Sequence, residues 1–203
     1  NGIKEANVGG NISWTLGRLG IKAIVVEAMP KDDHAYVLKV DGEGIELLEM
    51  DDLKYKGTYD TSQALLEKYG NGSSVLCIGS AGERMLRAAC VAVSDPQGEL
   101  KFAARGGLGA VMGSKGLKAV VAVNSKQSRV SYHNKEAFMA AAKKYTKTLA
   151  TSDKVKQVNQ KVGTNGIFKA VNAMGALPTR NFSRGSFEHA ENLSGETMYE
   201  TIV

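Results

Sequence analysis

Residues 113–121 read Gly-Ser-Lys-Gly-Leu-Lys-Ala-Val-Val, and this stretch decides the fold because residues 17–25 repeat it as Gly-Arg-Leu-Gly-Ile-Lys-Ala-Ile-Val. A pair of glycines precedes each copy by six or seven residues, at Gly9-Gly10 and at Gly106-Gly107. Each copy therefore combines a glycine pair, a short helix, a glycine stop and a buried strand. The repeat predicts an α+β fold: a duplicated α+β unit with two mixed β-sheets and short helices, followed by a helical segment.

The two glycine pairs are candidate ligand sites. Glycine lets backbone N–H groups approach a ligand with no Cβ in the way, and the positive end of a following helix favours an anion such as phosphate. The alternative is that the glycines of a duplicated fold only make tight turns. The repeat by itself leaves both interpretations open.

Short apolar runs separated by turn residues predict the other elements. We expect strands over 21–27, 36–40, 45–49, 75–78 and 100–104, a helix over 61–69, and an apolar helix that contains Cys90. After residue 124 the composition shifts towards lysine, alanine and asparagine with a helical period. We therefore expect two domains, over residues 1–124 and 125–203.

Composition limits the class of protein. Of the 203 residues, 43% are hydrophobic and 23% are charged, as in an ordinary globular domain. Glycine is over-represented with 23 residues, whereas three prolines are too few for a linker, so the glycines have local backbone roles. The two cysteines exclude a disulfide scaffold and a self-contained four-cysteine metal or iron–sulfur site. No apolar run approaches the ~20 residues that cross a bilayer.

The net charge of +5 has an uneven distribution. Nine basic and two acidic residues lie between Lys126 and Lys161, and Ala137, Ala141, Tyr145 and Leu149 recur at helical spacing. This pattern predicts a helix with a basic face, which is either solvated or a docking surface for an acidic protein. Nucleic acid is disfavoured because no aromatic residues are interleaved as a stacking platform.

Local motifs support a phosphate-bearing ligand but no reaction. Gly107-Leu108-Gly109-Ala110-Val111-Met112-Gly113 is similar to a dinucleotide-binding turn, with Arg129 available for a 2′-phosphate. A P-loop is excluded because Ser114 precedes Lys115 instead of following it. The three histidines are scattered, and Cys77 and Cys90 lie in apolar runs, so we expect no metal ligand or nucleophile among them.

Four segments resemble the tungsten-containing aldehyde:ferredoxin oxidoreductase family. The most specific is residues 105–119, Arg-Gly-Gly-Leu-Gly-Ala-Val-Met-Gly-Ser-Lys-Gly-Leu-Lys-Ala. The others are Ala-Asn-Val-Gly-Gly at 6–10 leading to residues 16–27, Cys-Ile-Gly-Ser-Ala-Gly-Glu at 77–83, and Gly-Ala-Leu-Pro-Thr-Arg-Asn-Phe at 175–182. The resemblance implies that residues 1–124 form the base on which a tungsten (or molybdenum) bis-pterin cofactor lies, and that 125–203 begin the helical iron–sulfur domain.

The resemblance also implies the binding residues. The cofactor contacts map to Asn7, Gly9, Gly10, Lys101, Phe102, Ala103, Ala104, Arg105, Gly106 and Gly107. A magnesium ion joining the pterin phosphates would take the backbone carbonyls of Asn7 and Phe102. Lys101 stands where family members often carry arginine; it keeps the charge but not the bidentate fork. No catalytic residue maps to this chain, and the ligands of the 4Fe–4S cluster would lie outside it.

The function implied by the resemblance is oxidation of aldehydes to carboxylic acids, with electrons passed through a 4Fe–4S cluster to ferredoxin. The chain is then expected to be an interior, by itself inactive piece of a cytoplasmic enzyme that forms a homodimer and binds neither nucleic acid nor membrane. The alternative is a non-catalytic nucleotide- or pterin-binding module with an NADP-type glycine-rich loop.

Overall fold

The computed structural model of the chain describes residues 3–124 and 130–202, and it divides into two compact units, Asn1–Ser131 and Tyr132–Val203. The helices and strands of the first unit are, in chain order, α1 (Ile12–Arg18), β1 (Tyr36–Val40), β2 (Ile45–Glu49), a 3-10 turn (Asp51–Leu53), α2 (Thr58–Tyr69), β3 (Ser74–Cys77), α3 (Ser80–Glu83), β4 (Val91–Ser94), β5 (Leu100–Ala103), α4 (Leu108–Gly113) and β6 (Leu117–Ala122).

The six strands form one mixed sheet in the order β2-β1-β6-β3-β4-β5. Strands β1 and β2 are an antiparallel hairpin, β1 and β6 are parallel, and the remaining neighbours are antiparallel. All six residues of β6 are buried, as their nearly continuous apolar sequence predicts for a central strand. Strands β2 and β5 are the two edges of the sheet.

Each face of the sheet packs against different helices. On one face, Leu65 of α2 packs against a fully buried cluster that includes Val75, Cys77 and Val121. On the other face, α1 and α4 cover Val40, Leu117 and Val120. A buried hydrogen bond of 2.7 Å between the hydroxyls of Thr15 and Ser74 fixes α1 to β3.

The predicted α+β class is confirmed, with corrections at three places. The strand predicted over 21–27 is wrong: Ile21 and Ile24 pack against the core beneath α1, but residues 21–27 pair with no strand in the described part of the chain. One sheet therefore forms where two were expected. The helix predicted around Cys90 is also wrong, because this residue directly precedes β4, a strand that we had not predicted. Helix α2 begins three residues before the predicted start.

The exposed edge strand β2 carries both apolar and acidic side chains. Ile45 and Leu47 are exposed at 61% and 58% and share one face of the strand with Glu49, whereas Glu46 lies on the other face. Glu46 lies 3.6 Å from Lys39 of the neighbouring strand β1. The hairpin is closed by Asp41, whose side chain accepts hydrogen bonds from the backbone N–H groups of Glu43 and Gly44, as the turn residues predict.

The second unit is helical, as predicted. Its elements are α5 (Lys135–Thr151), a π-helical segment (Lys154–Asn159), α6 (Gln160–Val162), 3-10 segments at Gly163–Ile167 and Ala190–Leu193, α7 (Phe168–Ala173) and α8 (Gly195–Ile202). Asn134 caps α5 by accepting a hydrogen bond of 2.9 Å from the N–H of Ala137. Every residue of α5 is at least partly exposed, which agrees with its basic sequence. Lys126 and Arg129, which belong to the predicted basic run, lie outside the described residues.

Within residues 3–124 and 130–202, no helix has both the length and the apolar character needed to span a membrane.

Candidate functional site

The segment before α1 lies against the β4–β5 edge of the sheet. The backbone N–H of Asn11 donates to the carbonyl oxygen of Ser94 at 3.2 Å, and Ala6 and Val8 pack against the cluster of Ile78, Val91 and Ala103. Gly10 fits tightly there: its φ is +154°, and a Cβ on it would lie 2.5 Å from the side chain of Val93. Any larger residue at position 10 would therefore push this segment off the sheet.

This packing brings together the two segments predicted to bind the cofactor. A Cβ on Gly9 would lie 3.9 Å from Cδ of Lys101, and a Cβ on Gly106 would lie 3.7 Å from both the carbonyl oxygen of Glu5 and Cβ of Lys4. The segment around Asn7 and Gly9 thus borders the end of β5 and the turn that follows it. Lys4 and Glu5, which the sequence did not single out, belong to the same neighbourhood.

Most of the predicted binding residues are open to solvent. The exposed ones are Asn7, Gly9, Lys101, Phe102, Ala104, Arg105 and Gly106, whereas Gly10 is half-buried and Ala103 and Gly107 are buried. Strand β5 is an edge strand, so part of its backbone N–H and C=O groups has no strand partner. The arrangement offers unpaired backbone groups beside the positive charges of Lys101 and Arg105, which is suited to an anionic ligand.

Alternation along β5 separates the side chains of Lys101 and Phe102. Lys101 lies on the face that carries Gly9, with its ammonium 3.7 Å from Asp95. Phe102 lies on the opposite face, where its ring meets that of Tyr59 edge to face at a centroid distance of 6.4 Å. The bulky side chain of Phe102 therefore does not fill the face of β5 that borders the segment around Asn7 and Gly9.

The G-x-G-x-x-x-G motif has a packing explanation. Gly107 caps α4 in the left-handed conformation, and a Cβ there would collide with the carbonyl oxygen of Arg87. On Gly109 and Gly113, a Cβ would collide with the carbonyl oxygens of Cys90 and Gly82. Helix α4 therefore packs backbone to backbone against α3 and the segment that follows α3. The glycines are required by this contact, so the nucleotide-binding interpretation of the motif loses its main support.

A buried ion pair beneath α3 was not anticipated from the sequence. Lys118 of β6 is only 1% exposed, and its ammonium donates to the Glu83 carboxylate at 2.5 Å and to the carbonyl oxygen of Lys56 at 2.9 Å. Glu83 also accepts hydrogen bonds from the backbone N–H of Tyr55. The ammonium and the carboxylate would each be costly to bury without a partner of opposite charge, and here each is the partner of the other. The pair also holds α3 in the position where α4 packs on it.

The described residues contain no group of three or more metal-binding side chains among histidine, cysteine, aspartate and glutamate. Burial raises the pKa of the Cys77 thiol to about 12, so at neutral pH it stays protonated in the core. This agrees with the expectation that Cys77 packs rather than reacts.

Comparison with known proteins identifies the chain's relatives. Residues 1–124 match the family model "Aldehyde ferredoxin oxidoreductase, N-terminal domain", and residues 140–203 match "Aldehyde ferredoxin oxidoreductase, domains 2 & 3". The chain is similar to the tungsten-containing aldehyde ferredoxin oxidoreductases of Pyrococcus abyssi and Pyrococcus horikoshii, with 36% and 34% identity over 97% of this chain. It spans 31% of the length of these relatives.

A solved structure shares the fold. The active site complex BamBC of benzoyl coenzyme A reductase, bound to 1,5-dienoyl-CoA, matches with a TM-score of 0.60 and 26% identity, covering 71% of this chain and 21% of that chain. The fold, the glycine-rich segments at the β5 edge and the match over 1–124 point to one conclusion. The chain belongs to the aldehyde ferredoxin oxidoreductase family.

Proposed function

We propose that residues 1–124 form part of the base that holds a tungsten bis-pterin cofactor in an oxidoreductase. The observation that carries the proposal is the juxtaposition of the Gly9 segment with Lys101 and the Gly106 turn at the open edge of the sheet. Support also comes from the curated relatives, whose names specify tungsten.

The exposed backbone of this site fits a pterin phosphate better than it fits a bare metal ion. Side chains are absent or small at Gly9, Ala104 and Gly106, so a flat ligand can approach the main chain closely. Lys101 and Arg105 supply positive charge for phosphate oxygens. Asn7 and Phe102 stay our candidates for the backbone carbonyls that would hold a magnesium ion between the phosphates, since hard cations prefer oxygen ligands.

The cofactor, when bound, would supply two-electron redox chemistry coupled to oxygen transfer. The residues of this chain would bind and orient it. Lys101 and Arg105 would neutralise phosphate charge, and the tight seat of Gly10 on Val93 would hold the Asn7 segment in place. In this proposal the chain's own residues bind and orient the cofactor, and no acid–base role is assigned to them.

The finer parts of the proposal concern the reaction. We take the substrate class to be aldehydes, oxidised to carboxylic acids, with electrons leaving through a 4Fe–4S cluster to ferredoxin and with a homodimer as the assembly. The names of the relatives and of the family model support aldehydes as the substrate class and ferredoxin as the electron acceptor. The structural neighbour is named as a benzoyl coenzyme A reductase, a different substrate class on the same fold, so in our proposal substrate choice is assigned to other parts of the enzyme.

The test is cofactor retention in a host that makes tungstopterin. The chain is purified from such a host, tungsten is measured by mass spectrometry, and pterin is measured by the fluorescence of its oxidised form. A Lys101→Met/Arg105→Met variant is expected to retain about tenfold less of both, because two charge-assisted phosphate contacts are lost.

Lys22→Met is the control, because Lys22 is an exposed lysine that belongs to neither of the two segments of the proposed site. It should leave the tungsten and pterin content unchanged. Pterin at the same level in the unsubstituted chain and in both variants would contradict the proposed site, and a chain without either component would contradict the proposed function.

A further inference from the structure

The dipeptide Asn-Gly occurs at residues 71–72 and 165–166 of the described part of the chain, and a further copy at 1–2 lies outside that part. Asparagine before glycine is chemically labile, because the backbone nitrogen of the glycine can attack the side-chain amide carbon with no Cβ in the way. Whether this attack occurs in a folded protein depends on how tightly the dipeptide is held. The two described copies differ in this respect.

Asn71 and Gly72 form an open turn between α2 and β3. The backbone N–H of Ser73 donates to the carbonyl oxygen of Gly70 at 2.9 Å, so Asn71 and Gly72 occupy the two central positions of the turn. Both residues are exposed. Within residues 3–124 and 130–202, neither the side-chain amide of Asn71 nor the N–H of Gly72 has a hydrogen-bond partner. The fold therefore restrains neither the group that is attacked nor the group that attacks.

The second copy is held within the helical unit. Asn165 and Gly166 lie in the 3-10 segment Gly163–Ile167, and both are half-buried. The amide of Asn165 donates to Sδ of Met198 at 3.5 Å, and a Cβ on Gly166 would collide with the side chain of Val158. Attack by the Gly166 nitrogen would require the helical backbone of Asn165 to rotate and the packing of Gly166 to open first.

The space around Gly72 gives the turn room to move. A Cβ at this position has no neighbour within 4 Å, and Gly72 is not one of the glycines with a positive φ. The turn can therefore rotate towards the geometry of attack without displacing other atoms. For the same reasons alanine fits at position 72 without strain.

We propose that Asn71 is a site of spontaneous deamidation. The nitrogen of Gly72 forms a bond to Cγ of Asn71 and the Cγ–Nδ2 bond breaks, so ammonia leaves with the proton of the amide N–H and a cyclic succinimide forms. Water then opens the ring, at the side-chain carbonyl to give aspartate or at the main-chain carbonyl to give isoaspartate. No oxidant or reductant takes part. The proposal does not rest on the cofactor site.

Deamidation adds a negative charge beside existing negative charge. Residue 71 lies two positions after Tyr69, the last residue of α2, and the carboxyl end of a helix carries a partial negative charge. Asn71 also shares a surface groove with the carboxylates of Glu67, Asp95 and Glu99. Asn71→Asp should therefore melt about 1–3 °C below the unsubstituted chain, whereas the neutral Asn71→Ser should not.

The test of the site is peptide mapping by mass spectrometry after incubation of the folded chain in isotopically labelled water at mildly alkaline pH. Trypsin releases Asn71 in peptide 69–84 and Asn165 in peptide 162–169, and neither peptide contains another asparagine. Deamidation is expected to be at least about tenfold faster at Asn71, which corresponds to a local opening free energy of about 1.4 kcal/mol around Asn165. An isoaspartate methyltransferase assay should detect isoaspartate in peptide 69–84.

Unfolding and substitution provide the controls. In urea the rates at Asn71 and Asn165 should agree within about threefold, because both dipeptides are then unstructured. Gly72→Ala should slow deamidation of Asn71 about tenfold in the folded chain, because the added methyl group obstructs the attacking nitrogen. Circular dichroism shows that this variant is folded.

Three results would overturn the proposal. An Asn71 that stays intact in the folded chain but converts in urea would show that the fold protects the turn. Equal rates at Asn71 and Asn165 in the folded chain would show that the structure does not select the site. An unchanged rate in Gly72→Ala would exclude attack by the nitrogen of residue 72.

Discussion

The two copies of the repeat have matching sequences but different structures. In the second copy, Lys118 and Val121 lie in the central strand β6 and are buried. Their counterparts Lys22 and Val25 are exposed, Val25 at 79%, in a segment that pairs with no strand among the described residues. The comparison teaches that a β-prone run becomes a strand only where neighbouring strands supply hydrogen bonds and a buried face.

Substitution of the two lysines, Lys118 and Lys22, is expected to give the largest difference between the copies in the free energy of unfolding. Lys118→Met should lower the free energy of unfolding by about 3–5 kcal/mol, because it leaves the carboxylate of Glu83 partly buried without its cation. Lys22→Met should leave stability unchanged, because Lys22 is exposed. Urea unfolding followed by circular dichroism measures both.

A second substitution tests whether Lys118→Met loses stability because the charge of Glu83 is left unpaired or because the shape of the side chain changes. The double variant Glu83→Gln/Lys118→Met should recover part of the loss. A loss below about 1 kcal/mol in Lys118→Met, the scale of an exposed pair, would show that the ion pair is not buried in solution.

A smaller difference is expected at the paired glycines Gly17 and Gly113. Gly113→Ala should cost about 3 kcal/mol, since the new Cβ would meet the backbone of Gly82 and force α3 and α4 apart. Gly17→Ala should instead raise stability by about 0.5–1 kcal/mol, because a Cβ there has no neighbour within 4 Å and Gly17 is helical. Opposite signs in thermal unfolding are the expected result, and equal losses would refute the close contact of α3 and α4.

The smallest difference is expected at the two valines. Val121→Ala should cost about 2 kcal/mol, since it removes two buried methyl groups and leaves a cavity in the core. Val25→Ala should have little effect on unfolding. If both variants lost the same stability, residues 21–27 would have to be packed as firmly as β6.

Local sequence patterns predict most of the helices, strands and turns of the first unit. The hairpin of β1 and β2 follows from Asp41 and Gly44, and the end of α2 follows from Gly70, whose φ is +89°. The wrong predictions of a strand over 21–27 and of a helix around Cys90 have one cause. Both runs are apolar and short, and whether such a run pairs, coils or turns depends on partners that lie far away along the chain.

For the candidate site, the sequence could nominate residues through the family resemblance, but it could not give their geometry. The resemblance named Gly9 and Lys101, yet their proximity depends on how the segment before α1 packs on Val93. The pairing of Lys118 with Glu83 joins residues 35 positions apart and has no local signal. Likewise, the packing role of Gly113 becomes visible only once Gly82 is placed beside it.

The acidic edge of the sheet has a consequence for the behaviour of the chain in concentrated solution. Strand β2 exposes an unpaired backbone together with Ile45 and Leu47, which is a surface that invites fibrous self-association. Glu46 and Glu49 lie on the same strand, so a second β2 added in parallel register, or in the antiparallel register that pairs Glu46 with Glu49, would bring carboxylates opposite carboxylates. The two glutamates thus act as gatekeepers that keep the sheet from growing from one molecule into the next.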